Sequence, residues 1–232
     1  MSSTIPETIA VVPDGNRRWA KAHRLSFFSG YQLGVQKFID FSEWCKEFGV
    51  KNISVWALST ENLKRPKREV DALFSIYRKF AKDQKLIERL HNNETKFVIV
   101  GNRRLLPADL SRSLARIEKD TSAYDTRTIN MLLGYGGRED ILSAVRKMIA
   151  SKIRYGASVT GQLFKKFLES SVVPDIDFVI RTSGEERLSG LLPWQVGYAE
   201  LYFSKKLWPD FTRADFKLAL GDYERRHRRF GT

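Results

Sequence analysis

The chain has 232 residues, 42% hydrophobic and 12% aromatic, which excludes a disordered chain and bounds it at one large domain or two small ones. A formal net charge of +13, from 40 Lys and Arg against 27 Asp and Glu, favours anionic partners: nucleic acid, acidic lipid or small phosphorylated molecules. One cysteine, Cys45, excludes a disulfide framework and a cysteine zinc site, and no apolar run approaches the ~20 residues that span a bilayer.

In chain order, TIAVV at 8–12 reads as a first strand and PDGNRRW at 13–19 as the turn into a helix. The first ten residues, MSSTIPETIA, lack the charged and apolar regions of a signal peptide, so a cytoplasmic protein is expected, soluble or peripherally attached to a membrane. A helix is predicted at 33–48, where Gly34, Phe38, Phe41, Cys45 and Phe48 recur at steps of four and three. On that face Cys45 reads as a small buried apolar residue. NISVWAL at 52–58 is a second strand, followed by the polar segment STENLKR. One long helix is predicted at 66–91: Pro66 suits its first turn, Val70, Leu73, Tyr77, Phe80 and Ile87 keep the period, and Gln84 is the one polar break. KFVIV at 96–100 is a strand, and Leu110, Leu114 and Ile117 mark a helix at 107–124. TINMLL at 128–133 precedes helices at 137–153 and 160–170. Strands follow at 176–182 and 200–204. The last helix, 212–229, opens with Thr212 and Asp215 spaced as in a capping box. With no repeat, linker or low-complexity segment, residues 1–232 read as a single domain.

Most strand candidates are continuous apolar runs, as expected of strands buried on both faces. Their alternation with helices predicts an α/β fold, a six-stranded, mostly parallel sheet covered by helices. In such sheets ligands bind outside the carboxyl ends of the strands, which raises the segments just after each strand to candidate sites.

In PDGNRRW, Gly15 permits close approach of a ligand, and Arg17 and Arg18 offer forked donors for phosphate. Asp14 among these cations stays ionised and suits a metal ligand or a base. A solvated helix start explains the same residues, so both readings stand at this point. Ser59, Glu61, Asn62 and Arg65 form either a helix cap with a polar loop or part of a site. Arg181, Arg187 and Ser189 make a plausible diphosphate clamp, against surface ion pairs with Glu185 and Glu186. Glu200, alone among aromatic and apolar residues, needs a partner, a metal or water. GYGGR lacks the lysine and hydroxyl of a phosphate-binding loop, and the basic tail YERRHRRFG reads as a solvated helix end. His23, His91 and His227 show no metal spacing. The aromatic–basic and recognition-helix signatures of nucleic-acid binders are missing, so no nucleic-acid partner is expected.

DGNRRWA, WALSTENLKRP, GYGGREDI, RTSGEERLSGLLPWQVGYAELYF and RRFG occur in that order. Together, from about Ile9 to Gly231, they resemble the cis-prenyltransferases, the undecaprenyl and dehydrodolichyl diphosphate synthase family. The resemblance implies a magnesium-dependent prenyltransferase, usually dimeric and here expected as a homodimer, with an apolar tunnel between sheet and helices. It transfers an allylic prenyl group from its diphosphate to isopentenyl diphosphate, makes a Z double bond and releases diphosphate. By motif position Asp14 binds magnesium, Asn16 assists or orients proton removal, and Gly15, Arg17, Arg18 and Trp19 surround the allylic diphosphate. Arg181, Arg187 and Ser189 hold the acceptor diphosphate, and Glu200 completes the metal site from this chain or across the dimer. Ser59, Glu61, Asn62 and Arg65 match a loop that closes over substrate, and Arg229 and Gly231 match a C-terminal element that reaches a phosphate in the partner.

Several departures bear on the acceptor. Regular bacterial members carry an arginine and a histidine where this chain has Phe27 and Tyr31, with Gly30 kept between them. Glu186 and Gly134-Tyr135 also differ from the regular pattern, and Pro13 with Tyr31 resembles the irregular lavandulyl-type branch. That branch couples two allylic diphosphates such as dimethylallyl diphosphate head-to-middle. Tyr31 therefore joins the candidate substrate-binding residues. A non-catalytic partner subunit ranks lower, because Asp14 and Glu200 are both present.

Overall fold

The computed structural model describes residues 5–151 and 159–226. Its centre is a six-stranded sheet of β1 (Thr8–Val12), β2 (Asn52–Ser59), β3 (Thr95–Val100), β4 (Arg127–Tyr135), β5 (Phe178–Arg181) and β6 (Glu200–Phe203), in the order β3-β4-β2-β1-β5-β6. Every adjacent pair is parallel. β2, β3 and β4 lie on one side of β1, with β4 inserted between β2 and the edge strand β3. The chain then crosses to β5 on the other side, so the topological switch point lies between β1 and β5. Ligands of open parallel sheets bind outside that point.

Side chains alternate across the sheet. Ile9 and Val11 enter one core with Phe38, Leu73, Leu110 and Phe216, while Ala10 and Val12 enter the other with Leu132, Leu191 and Leu192. The first core is covered by α2 (Phe27–Glu47), α3 (Lys67–Lys82), α5 (Ala108–Asp120) and α8 (Arg213–Glu224). The edge strand β3 is shielded by α5: Glu118 accepts from the Ile99 amide at 2.7 Å and Thr121 from the Phe97 amide at 3.1 Å. These contacts occupy donors that an open edge would offer to another chain. No helix among the described residues is long and apolar enough to cross a membrane.

Several predicted boundaries move, each for a local reason. A short helix, α1 (Asn16–Ala22), follows the first turn, and α2 begins at Phe27 rather than at 33. Ser26 caps α2, accepting from the Ser29 amide at 3.1 Å. The first turns of α2 hide their periodicity because they pack through glycines against α1. A Cβ on Gly30 would come within 2.5 Å of the Asn16 carbonyl oxygen, and one on Gly34 would strike the Asn16 side chain. The predicted helix 66–91 is two helices, α3 and α4 (Gln84–Asn92). Asp83 leaves helical geometry and caps α4 through the Lys85 and Leu86 amides, so a cap overrides a continuous apolar stripe. After α6 (Gly137–Ala150), the helix expected at 160–170 stops as α7 (Gly161–Lys165). The Glu169 amide donates to Asp140 at 2.6 Å, and the Ser170 hydroxyl donates to the same carboxylate. The capping box of Thr212 and Asp215 is present at the start of α8, while the predicted 227–229 lies outside the described residues.

Candidate active site

β1 and β5 end side by side, Val12 in register with Arg181. The turn after Val12 carries Asp14, and its carboxylate accepts from Arg181 at 2.9 Å and from the Gly15 amide at 2.7 Å. The Asp14 carbonyl is fixed by the Trp208 amide at 3.0 Å and the Thr182 hydroxyl at 2.8 Å. Gly15, at φ 106°, makes the left-handed step that starts α1, with Leu207 too close for a Cβ. Arg181 is 5% exposed and also donates to Ser189 at 2.9 Å and to the Arg187 carbonyl. Glu185 bridges Arg18 at 3.2 Å and Arg187 at 2.5 Å. Two buried polar atoms here, Asn16 Oδ1 and Arg181 Nε, have no hydrogen-bond partner among the described residues. Buried polar atoms are rarely left so; the Asn16 oxygen packs against Gly34, and Arg181 Nε belongs to the guanidinium that pairs with Asp14.

A second charged group forms the rim. The Glu69 carboxylate accepts from Arg17 at 3.3 Å and from Arg65 at 2.8 Å. The Tyr31 hydroxyl accepts from Arg65 at 2.6 Å and stands 3.3 Å from Glu69. Burial raises the Tyr31 pKa above its ordinary value near 10, against the opposing effect of Arg65, so the phenol is a neutral donor at physiological pH. Ser59 and Asn62 lock the neighbouring loop reciprocally: the Ser59 amide donates to Asn62 Oδ1 at 3.2 Å and the Asn62 amide to Ser59 Oγ at 3.1 Å.

Both groups open onto one cleft of about 580 Å³. Arg17, Arg18, Arg65, Arg181 and Arg187 face it against Asp14, Glu61 and Glu185, an excess of two positive charges. Deeper in, the lining turns apolar, with Val35, Phe38, Phe80 and Met131 beside Tyr77 and Trp208. Tyr77 donates to the Ala57 carbonyl at 2.6 Å, where the register of β2 against β4 shifts between Trp56 and Leu58. The cleft thus joins a cationic mouth to an apolar floor.

Residues 12–231 match a prenyltransferase family described as putative undecaprenyl diphosphate synthase. An isoprenyl transferase of Thermus thermophilus is 38% identical over 98% of this chain and 89% of its own length. The geranylgeranyl-diphosphate-specific tritrans,polycis-undecaprenyl-diphosphate synthase of Methanopyrus kandleri is 39% identical over 98% and 85%. Lavandulyl diphosphate synthase from Lavandula x intermedia, solved with dimethylallyl diphosphate, has a TM-score of 0.92 at 33% identity, covering 100% of both chains. A probable undecaprenyl diphosphate synthase of Campylobacter jejuni has a TM-score of 0.80 at 29% identity, covering 98% and 99%. The chain belongs to the undecaprenyl diphosphate synthase family.

It is a prenyltransferase, a synthase of cis-prenyl diphosphates. In this synthase the cleft collects nearly all of the sequence-predicted site: Asp14 to Arg18, Tyr31, the loop residues Ser59, Glu61, Asn62 and Arg65, and Arg181, Arg187 and Ser189. Trp19 is not among its lining residues. Its indole donates to Asp210 at 2.6 Å and stacks on His23, tying α1 to the 208–210 turn. Glu200 does not join Asp14 within the chain. It opens β6 in register with Phe178 and Ile9, whereas Asp14 lies beyond Val12, which aligns with Arg181 and Phe203. Three residues of strand, about 10 Å, separate the two levels, and Glu200 pairs with Arg226 at 3.0 Å. Arg229 and Gly231 lie outside the described residues. Sequence reading missed Glu69 and the Thr182 hydroxyl; the four-residue spacing of Arg65 and Glu69 was the available signal for the first.

Proposed function

We propose that the cleft seats two diphosphates, that of an allylic donor near Arg17 and Arg18 and that of isopentenyl diphosphate near Arg181, Arg187 and Ser189. The observation that carries this is the Asp14–Arg181 pair at the switch point, set among the arginines that face the cleft. In the reaction the allylic C–O bond breaks and its electron pair leaves with diphosphate, while a new carbon–carbon bond forms to the acceptor and the acceptor loses a proton. The guanidiniums stabilise the charge gathering on the leaving diphosphate. Asn16, which lines the cleft, orients the acceptor where that proton departs. The apolar floor, with Phe38 and Phe80, shelters the prenyl chain from water.

Magnesium fits this donor set. Among the described residues no cluster of three or more acids, histidines or cysteines forms a protein cage, but Mg²⁺ is commonly held by one or two carboxylates, substrate phosphates and water. Asp14 would be that carboxylate, and the ion would add positive charge against the leaving diphosphate. Glu200 and the C-terminal Arg229 and Gly231 would serve the neighbouring site of a homodimer. Asp14→Ala should abolish magnesium-dependent prenyl transfer in a folded protein, and retained turnover would remove Asp14 from the site.

Irregular coupling of two dimethylallyl diphosphates is the second reading. It is supported by Tyr31 in the rim and by the likeness to the lavandulyl enzyme over the whole chain. Feeding labelled isopentenyl or dimethylallyl diphosphate and determining how the product carbons are joined separates the two.

A further inference from the structure

Glu69 is the one member of the rim that does not line the cleft. It is the third residue of α3, and its side chain is 11% exposed. Its three partners come from three other segments: Arg17 from α1, Tyr31 from α2 and Arg65 from the loop after β2. Each guanidinium reaches Glu69 through a terminal nitrogen, Nη1, which leaves other N–H groups of each fork for a ligand. Among the described residues Arg17 makes its one ion pair here, although its side chain is 56% exposed. Without Glu69, nothing else in the described structure holds that guanidinium at the cleft.

We propose that Glu69 is a positioning residue for the prenyl diphosphate: it holds Arg17 and Arg65 toward the incoming allylic diphosphate without touching it. This rests on the functional reading above and adds the group that organises its rim. An arginine recruited from solvent loses rotamer freedom when it binds, and Glu69 removes that freedom from two arginines before the ligand arrives. Its negative charge opposes the diphosphate, but the two guanidiniums it contacts offset that charge. Ordering therefore outweighs repulsion, and removing the carboxylate weakens binding.

The test uses the full chain with magnesium and geranyl thiolodiphosphate, a donor analogue that resists cleavage. Calorimetry on Glu69→Gln should show about tenfold weaker binding, the scale of ordering one or two long side chains. In steady-state assays, KM for the donor should rise by more than kcat falls. Glu69→Gln added to Arg65→Ala should cost less than it does in the wild type, because both changes act through one guanidinium. Thermal melts confirm folding; if Glu69→Ala unfolds, the isosteric Gln variant still gives the reading. Unchanged or tighter binding by Glu69→Gln, or full additivity with Arg65→Ala, overturns the proposal. Loss of turnover in Asp14→Ala beside a silent Glu69→Gln leaves the functional reading standing and sinks only this step. A wild type that neither binds the analogue nor turns over donor sinks both.

Discussion

Two groups of charged side chains line the cleft, and they are held by different means. The inner group, Asp14, Arg181 and Ser189, grows from the ends of adjacent parallel strands, where register sets each position. Backbone and hydroxyl donors from Trp208 and Thr182 fix the Asp14 main chain, and Arg181 is buried. The rim group, Arg17, Arg65 and Tyr31, hangs from helices and a loop, and one carboxylate, Glu69, ties it together. Strand ends position functional groups through the backbone, whereas helix-borne groups at a cleft mouth need a side chain to organise them. The inner group should therefore be intolerant of any change, and the rim should respond in graded fashion.

Arg181→Lys is the severest of these tests after Asp14→Ala. Lysine keeps the charge but cannot serve Asp14, Ser189 and the Arg187 carbonyl together, as the planar fork does. Removing one preorganised donor at a site of developing charge costs about 100- to 1,000-fold, so kcat/KM should fall on that scale. A lower melting temperature should accompany it, because Asp14 loses its closest cationic partner. Activity near that of the wild type would make the pair a structural lock and erase the contrast with the rim.

Tyr31→Phe probes the rim. It deletes a hydroxyl bonded to Arg65 and leaves the Arg65–Glu69 and Arg17–Glu69 pairs in place. A hydrogen bond to a charged group is worth about 1.5–3 kcal/mol when buried, and part of that is lost at a rim open to water. Steady-state kinetics should show KM for one diphosphate raised about tenfold, with a smaller change in kcat. A collapse as deep as that of Arg181→Lys would place the phenol on the reacting atoms rather than among the groups that organise the rim.

The same contrast explains what could be read without coordinates. Parallel pairing and the candidacy of the segments that carry the inner group follow from apolar runs and the residues after them, because in a parallel sheet the position after a strand is already a position in space, whereas strand order does not. The rim was harder. Arg17, Tyr31 and Arg65 could be named by motif, but Glu69 looks like an ordinary partner of Arg65 one helical turn away. Nothing in the spacing shows that it also collects Arg17 and Tyr31 from distant segments. The start of α2 was hidden because Gly30 and Gly34 contribute space for Asn16 rather than apolar surface. Glu200 was placed with Asp14 by motif, yet it stands at the opposite end of its strand.

The smallest effect should come from Asp83→Ala, which tests whether the rim depends on the whole helix pair or only on the first turn of α3. Asp83 sits 14 residues beyond Glu69, ends α3 and caps α4 through the Lys85 and Leu86 amides. Losing such a cap costs about 1 kcal/mol, which for a chain of this size lowers the melting temperature by about 2–4 °C. Glu69 is fixed by the start of α3, where its own partners converge, so the rim distances should survive the change. Donor KM should then match the wild type while the thermal midpoint falls. A raised KM would mean that the break between α3 and α4 helps to aim the rim, and that the rim is organised by more than one carboxylate.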